Sequence, residues 1–295
     1  ESISRVLYPA DSNEAGQELR LRQEYFFVAA SLKDLIRRHL DQGFTLLSLG
    51  EHVAIQLNDT HPSIAVAELM RILVDEHDME WSVAWDVTVQ TLAYTNHTLL
   101  PEALETWPVG LMERLLPRHM QIIYLINGLH IDSLREKGVH DFDVLRAVSL
   151  IEEDNGRRVR MGNLAFLGCH SVNGVSGLHT QLMRSTVFSE MHKLYPDRIN
   201  NKTNGVTFRR WLYQSNPPLT AMLVEALGPQ IQDDPEHNLI ELEPFAERAD
   251  FRQQFAEQRL QSKCTLAALI YERLAIVVNP EAMFDVQVKR IHEYK

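Results

Sequence analysis

The last seven residues, KRIHEYK, bring several cations together within a very short stretch of chain. Lys289, Arg290, His292 and Lys295 follow the alternating apolar run MFDVQV, which predicts that they stand at the end of a β-strand. Lysine offers a point charge and arginine a planar fork, and proteins commonly hold phosphate groups with both. The stretch therefore predicts a phosphate site, and a solvated basic turn remains the alternative.

Two further turns carry polar side chains directly after short apolar runs. NDTH (58–61) follows VAIQL, and YTNHT (94–98) contains the end of a second strand-like run. In open α/β sheets, ligands bind beyond the carboxyl ends of the strands, so the two turns predict the rim of one polar cleft. Helix capping and turn formation are the alternative use of such residues. A third polar stretch, NKTNG with RRW (201–211), adds Lys202, Asn204, Arg209 and Arg210.

The elements that would position these residues alternate between strands and helices. Helical spacing predicts helices over 18–40, through Ile64 to Val74, over WSVAWDVTVQT, and as one long helix over 111–126. VAIQL has the length of a buried strand and LAYTNHT reads as strand-like, so we expect a mainly parallel sheet that is covered by helices. The charged segment 138–160 reads as surface, and NLAFLGCHSVNGVSGLHTQL is compatible with strand or helix.

A polar, turn-forming stretch, RINNKTNGVTFRRW, indicates a break between two regions. Beyond it, the pattern predicts helices at PPLTAMLVEALG and over 249–274. The final run, AMFDVQV, reads as the first strand of a second sheet. The chain starts at Glu1 without methionine and ends inside the basic stretch, so we expect it to be a piece of a longer polypeptide.

Composition limits the classes of partner. With 45% apolar residues in 295, the chain can bury a large core, and its net charge of −11 argues against nucleic acid or an anionic membrane as the main partner. Cys169 and Cys264 are widely spaced, so neither a disulfide framework nor a zinc site is indicated, and we expect no metal. This cysteine usage makes a reducing cytoplasm the expected location. No run approaches the roughly 20 apolar residues of a membrane span.

Taken together, the motifs ISRVLYP, ELRLRQEYF, VAIQLNDTHPS, AYTNHTLLPEALE, LLPRHMQIIY, NKTNGVTFRRW and FDVQVKRIHEYK resemble the α-glucan phosphorylases. These are the glycogen, starch and maltodextrin phosphorylases, and the resemblance covers essentially the whole chain. It implies an α/β fold of Rossmann-like lobes, each with a mainly parallel sheet flanked by helices, within a two-lobe glycosyltransferase architecture. Residues 1–203 would be the latter part of the N-terminal, glucan-binding lobe, and 204–295 the start of the C-terminal, cofactor-binding lobe.

The resemblance also implies a reaction: inorganic phosphate cleaves the terminal glucose from an α-1,4-glucan and releases glucose 1-phosphate. The family uses pyridoxal 5'-phosphate through its phosphate group. By resemblance, the cofactor would contact Lys289, Tyr294 and Lys295, and the catalytic residues would be His97, Arg290 and Lys295. His97 would act through its backbone carbonyl, and Arg290 would hold the substrate phosphate. The implied sugar-binding residues are Asp11, Asp59, His61, Glu105 and Asn204.

Several expectations follow from the same resemblance. Arg37 and Arg38 match an arginine pair that binds effectors in regulated members, and the intact protein would be a homodimer. The lysine that forms the cofactor's Schiff base would lie downstream of this chain, so we expect the chain alone to be inactive. Two alternatives stay open: a non-catalytic glucan-binding or dimerisation module, and a nucleotide-sugar glycosyltransferase.

Overall fold

The computed structural model describes residues 3–100, 104–154 and 156–288. The chain forms two compact units, one that extends to Asn204 and one that starts at Gly205. Each unit is described by itself. The assignment of 1–203 and 204–295 to two larger lobes stays a prediction.

Within its described residues, the first unit contains seven strands: β1 (Ile55–Asn58), β2 (Leu92–Thr95), β3 (Thr106–Pro108), β4 (Ile151–Glu152), β5 (Arg158–Arg160), β6 (Ser171–Gly174) and β7 (Ile199–Asn201). Four of them form a parallel sheet in the order β1-β2-β6-β7. The other three form a small antiparallel sheet in the order β3-β5-β4. The expected α/β fold with a parallel sheet between helices is therefore confirmed.

The first unit's helices are α1 (Glu14–Asp41), α2 (Leu49–His52), α3 (Ala65–Arg71), α4 (Trp81–Thr91), α5 (Val109–Leu115), α6 (Pro117–Glu136), α7 (Phe142–Val148), α8 (Met161–Gly168), α9 (Gly177–Ser185) and α10 (Ser189–Leu194). The side chain of Asn13 caps α1 by accepting from the Gly16 N–H at 2.8 Å. Leu21, Val28, Leu32 and Ile36 recur at helical spacing along α1 and are buried. The periodicity of the sequence thus predicted α1 and α4 correctly.

The predicted single helix over 111–126 is wrong, because α5 ends at Leu115 and α6 starts at Pro117. Leu116 between them has φ −135° and ψ 56°, outside the helical region. A residue that precedes proline is disfavoured in helical geometry, and proline suits the first turn of a new helix. The apolar periodicity continues across this break and therefore hides it.

The segment 138–160 is not only surface, which corrects the sequence-based expectation. Val148, Leu150, Ile151 and Val159 are buried, and the segment supplies β4 and β5. NLAFLGCHSVNGVSGLHTQL, left open above, contains most of α8, all of β6 and the first turns of α9. One stretch therefore holds all three elements, which explains why no single period describes it.

The second unit is largely helical, as predicted. Its helices are α11 (Pro217–Leu227), α12 (Pro235–Asn238) and α13 (Ala249–Leu274). Its buried cluster consists of Leu223, Leu227 and Ile231. The predicted strand at AMFDVQV is wrong: residues 283–288 have no regular structure, and Met283 and Val288 are about nine-tenths exposed. A strand needs a partner, and the described residues of this unit contain no other strand to pair with.

No helix in the described parts of the chain combines the length and the apolarity that crossing a membrane requires.

Candidate functional site

The carboxyl edge of the parallel sheet brings the two predicted polar turns into direct contact. β1 ends at Asn58 and β2 at Thr95, two strands that pair in parallel register. The His97 Nε2–H donates to Asn58 Oδ1 at 2.6 Å. This hydrogen bond fixes the imidazole, and with it the backbone of the turn that carries His97.

A network of buried hydrogen bonds holds the turn after β2 in place. Asn96 is fully buried; its Nδ2–H donates to the Tyr94 hydroxyl at 3.0 Å, and its Oδ1 accepts from His179 Nε2 at 2.9 Å. The Asn96 backbone N–H also donates to the Asn173 carbonyl at 3.0 Å, which ties the turn to β6. Because the hydrogen-bonding groups of a buried amide must be satisfied, this arrangement leaves the turn little freedom. His97, the next residue, is exposed.

Asp59 and Asn204 also lie at this edge. Asp59 has φ 66°, a left-handed conformation in which aspartate is one of the tolerated residues. Its N–H donates to the Thr95 carbonyl at 2.9 Å, and its Oδ1 accepts from the Thr60 N–H at 2.8 Å. The Asn204 N–H donates to the carbonyl of Val175, directly after β6, at 2.9 Å. The loops after three strands thus present predicted site residues at one edge of the sheet.

Beside this edge lies a cluster of two carboxyl groups and one imidazole. His61 Nδ1 lies 3.7 Å from Glu24 Oε1 and 3.7 Å from Glu105 Oε2. The side chains of Glu24 and Glu105 are only 5% and 13% exposed. Two carboxyl groups that are buried together cannot both keep a charge cheaply, because desolvation and mutual repulsion both oppose it.

The physical consequence is that both carboxyl groups keep their protons above the usual pH range. Burial raises the pKa of Glu24 to about 8. Burial, and then the charge of Glu24, raise the pKa of Glu105 well above its ordinary value. At pH 7 we therefore expect both carboxyl groups to be largely protonated. Because protonation removes the negative charge, the cluster can lie beside an anionic ligand without strong repulsion.

Arg20 links this cluster to Asp11. Its Nη1 lies 2.8 Å from Asp11 Oδ2, and its Nε lies 3.7 Å from Glu24 Oε1. The Tyr8 ring packs against His61 with 4.7 Å between ring centroids, and the Arg20 guanidinium carbon lies 5.8 Å from the Tyr8 centroid. The segment that carries Tyr8 and Asp11 is therefore held on the cluster by one ion pair and by aromatic contact.

The same three side chains have the spacing of a metal site. One oxygen each from Glu24 and Glu105 and one ring nitrogen of His61 lie within 4.8 Å of one another. Carboxylate and imidazole could together ligate a divalent cation. The neighbouring Arg20 cation and the protonated carboxyl groups favour the metal-free form, and the expected absence of a metal stays a prediction.

The predicted effector residues lie far from the cluster of Glu24, His61 and Glu105. Arg37 and Arg38 lie in the last turns of α1, about 20 Å along the helix axis from Glu24. Arg37 pairs with Asp34 at 2.9 Å and with Asp41 at 2.8 Å, and Arg38 pairs with Asp34 at 2.9 Å. Lys289, Arg290, Tyr294 and Lys295 lie outside the described residues.

Three residues of this site were missed from the sequence: Glu24, which belongs to the cluster, and its neighbours Arg20 and Tyr8. A signal for Glu24 was present, because it lies three residues after Leu21 and four before Val28, on the buried face of α1. A carboxylate at an apolar position of an amphipathic helix indicates a buried partner. No comparable signal marks Tyr8, which reaches the cluster only through tertiary packing.

Similarity to known proteins identifies the family to which this chain belongs. The family model described as "Carbohydrate phosphorylase" matches residues 1–295. The chain belongs to the carbohydrate phosphorylase family. The resemblance on which the sequence analysis relied is thereby confirmed.

Relatives within the phosphorylase family are similar along the whole of this chain. A glycogen phosphorylase of Synechocystis is 51% identical over 298 residues, and one of Chlamydia trachomatis is 47% identical over 294 residues. The human muscle form of glycogen phosphorylase is 47% identical over 303 residues. Each alignment covers 100% of this chain but only 35% or 36% of the relative. This member of the phosphorylase family thus spans about a third of the length of the curated relatives it matches.

Proposed function

We propose that this chain forms the sugar-facing wall of an α-glucan phosphorylase. The complete enzyme would use inorganic phosphate to release glucose 1-phosphate from an α-1,4-glucan, and it would run the reaction in both directions. The observation that carries the proposal is the family match over 1–295, together with the meeting of Asn58, Asp59, His97 and Asn204 at one sheet edge.

The described residues suggest how this wall would act. The Asn58–His97 hydrogen bond orients the turn whose His97 carbonyl would face the reacting sugar. A fixed carbonyl dipole favours positive charge, which develops on the sugar as its glycosidic bond breaks. Asp59 and Asn204 would accept and donate hydrogen bonds to sugar hydroxyl groups. None of these interactions requires the groups to reorganise during the reaction.

The carboxyl cluster would contribute by staying uncharged or nearly so. A phosphate ion and a phosphorylated sugar are both anions, and two ionised carboxylates beside them would repel both. With Glu24 and Glu105 both protonated, the wall keeps hydrogen-bonding capacity at a low charge. His61 lies against both carboxyl groups and would complete this surface toward the sugar.

Family membership brings pyridoxal 5'-phosphate into the proposal as the cofactor of the complete enzyme. Its phosphate group would exchange protons with the substrate phosphate. The residues assigned to the two phosphates, Lys289, Arg290, Tyr294 and Lys295, lie outside the described residues. No step above therefore depends on them. A homodimeric complete enzyme and a cytoplasmic location stay predictions.

A hybrid enzyme tests the proposal. Exchanging the matching third of the Synechocystis relative for this chain should give a protein that forms glucose 1-phosphate from maltoheptaose only when phosphate and pyridoxal phosphate are present. The 295-residue chain alone should form none. A folded hybrid that fails to produce glucose 1-phosphate would contradict the proposal, and transfer that requires a nucleotide sugar would favour the glycosyltransferase alternative.

A further inference from the structure

A single glutamine of α1 holds the segment 3–11, which carries Tyr8 and Asp11. Gln23 is only 2% exposed. Its Nε2 donates to the carbonyl groups of Ile3 at 2.6 Å and Val6 at 2.7 Å, and its Oε1 accepts from the Tyr8 N–H at 2.9 Å. Residues 3–8 form no helix or strand, so their backbone groups need partners from elsewhere. One side chain supplies three of these partners.

The three partners determine what kind of side chain this position requires. Two carbonyl oxygens need a donor and one N–H needs an acceptor, and a carboxamide offers both on one planar group. An ionised glutamate would place an acceptor against both carbonyl groups, and a methionine would offer no donor. Because an unpaired polar group costs free energy when it is buried, the amide of Gln23 in turn depends on the segment. The glutamine and the segment therefore stabilise each other.

Two further residues on the same face of α1 hold the later part of the segment. Gly16, Arg20 and Gln23 share this face, because they are spaced by four and three residues along the helix. A Cβ atom at position 16 would collide with the Ala10 carbonyl oxygen, so the segment can approach α1 this closely only at a glycine. Arg20 pairs with Asp11 at 2.8 Å. The segment is thus held against α1 on both sides of Tyr8.

Tyr8 has a backbone conformation that needs such support. Its φ is 54°, in the left-handed region, which is unusual for a bulky side chain. A conformation of this kind persists only where the surrounding structure holds it, and the hydrogen bond from the Tyr8 N–H to Gln23 acts on that residue directly. In this conformation the Tyr8 ring packs against His61, with 4.7 Å between ring centroids. The contact of the segment with His61 therefore depends on how Tyr8 is held.

We propose that Gln23 is a positioning residue, which holds Tyr8 in its left-handed conformation and thereby keeps the Tyr8 ring against His61. The inference rests on the proposed function, in which His61 faces the sugar. Within the described residues, the Gln23 side chain hydrogen-bonds only to the segment, so it acts on the site through Tyr8. Without these hydrogen bonds, we expect Tyr8 to relax to an ordinary conformation and its ring to leave His61.

The ring contact gives a readout that does not require catalysis. An aromatic ring this close shifts the resonances of a neighbouring imidazole through its ring current. In the 295-residue chain, labelled with ¹³C at histidine Cε1, a His61→Gln variant identifies the His61 signal among those of the thirteen histidines. Tyr8→Leu removes the ring and so defines where the signal lies without the contact.

Gln23→Met fills the same space and removes all three hydrogen bonds. We expect it to move the His61 signal most of the way to its position in Tyr8→Leu, and the two substitutions combined should cause no further shift. Gln23→Glu, which loses both amide donors, should move the signal in the same direction, so the test does not depend on one variant. A His61 signal that stays in its native position in both variants would overturn the proposal.

Leu32→Val is the matched control, because it trims a buried side chain of the same helix about two and a half turns away from Gln23. It should leave the His61 signal in place. If Leu32→Val moved the signal as far as Gln23→Met does, the effect would come from weakened packing of α1, and the specific role of Gln23 would be overturned.

The hybrid enzyme tests the functional part of the inference. Gln23→Met should lower kcat at least about threefold, since small misplacements around a reacting group are costly. The KM for maltoheptaose should stay within about twofold, because only the contacts at the reacting sugar are disturbed. A displaced His61 signal with an unchanged kcat would overturn the positioning role and leave the proposed function standing. An inactive native hybrid would contradict the proposed function, whereas the His61 signal would still decide whether Gln23 holds Tyr8.

Discussion

His61 Nδ1 lies 3.7 Å from Glu105 Oε2, so the loop after β1 meets the residue that directly precedes β3. The two residues are far apart in sequence, and no other member of the cluster lies near either of them along the chain. The electrostatics of the site follow from this packing, because the burial that it creates raises the pKa values of both nearby carboxyl groups. The first prediction tests that consequence.

Glu24→Gln should change how stability depends on pH. The pKa of Glu24 is about 8 in the folded protein, against an ordinary value of 4.5. The folded state therefore keeps a proton that the unfolded state releases, and this stabilisation is fully present below about pH 4.5 and is lost as the pH rises through about 8. Glutamine cannot lose that proton. Between pH 5 and pH 8, the native chain should therefore lose free energy of unfolding that the variant keeps. We expect this difference to be on the order of 2–4 kcal/mol.

Urea unfolding at the two pH values measures this difference. Glu136→Gln is the control, because it removes an exposed carboxylate and should leave the pH dependence as it is. If Glu24→Gln and the native chain lost equal stability between pH 5 and pH 8, the raised pKa of Glu24 would be refuted.

Asn58→Ala should impair catalysis without unfolding the protein. Asn58 is exposed, and its Oδ1 fixes the His97 ring at 2.6 Å, so its loss frees the turn at little cost in stability. In the hybrid enzyme we expect kcat to fall about tenfold or more, since small misplacements of a catalytic group are costly. His97→Ala should have a similar effect, and the double variant should be no worse than either single variant. Additive losses would show that Asn58 acts independently of His97.

Gly174→Ala should destabilise the end of β6. A Cβ atom there would lie 2.3 Å from Thr180 Oγ1 and 2.9 Å from Met183 Sδ, both in packed surroundings. Overpacking of this kind costs about 1–3 kcal/mol. Gly128→Ala is the matched control, because a Cβ in the middle of α6 meets nothing within 4 Å. The stability of Gly128→Ala should rise by up to about 1 kcal/mol, because alanine has the higher helix propensity. If the urea midpoints of the two variants moved in the same direction, the close packing around Gly174 would be contradicted.

Arg71→Met should be strongly destabilising. Arg71 Nε lies 2.8 Å from Glu68 Oε2, and the Glu68 side chain is completely buried, with His119 Nε2 at 2.5 Å as its other partner. Removing one partner of a buried ion pair leaves charge that is poorly compensated, at a cost of about 3–5 kcal/mol.

Lys33→Met removes a cation from the exposed end of the same network, where Lys33 Nζ lies 3.4 Å from Glu76 Oε1. It should cost less than about 1 kcal/mol, as surface pairs do. Thermal unfolding of the two variants compares them, and equal losses would show that burial is not what makes the Glu68 pair important.

The sequence alone determined the local structure wherever one period ran without interruption. Leu21, Val28, Leu32 and Ile36 predicted α1, and WSVAWDVTVQT coincides with α4, because amphipathic spacing and burial describe the same face of a helix. It also determined the family, through motifs that extend over the whole chain. It placed NDTH and YTNHT after strands, and the parallel sheet then brought Asn58 and His97 together.

Tertiary structure alone decided the features that depend on distant partners. AMFDVQV has the alternation of a strand but no neighbouring strand in the described residues, and a strand without a partner does not form. The pKa of Glu24 could not be read from its neighbours in sequence, because burial raises it and only the tertiary packing of distant elements creates that burial. Periodicity records which face of an element is buried, whereas the partner on that face is fixed only when the chain folds. For this reason the helices were predictable, and the charge of the site was not.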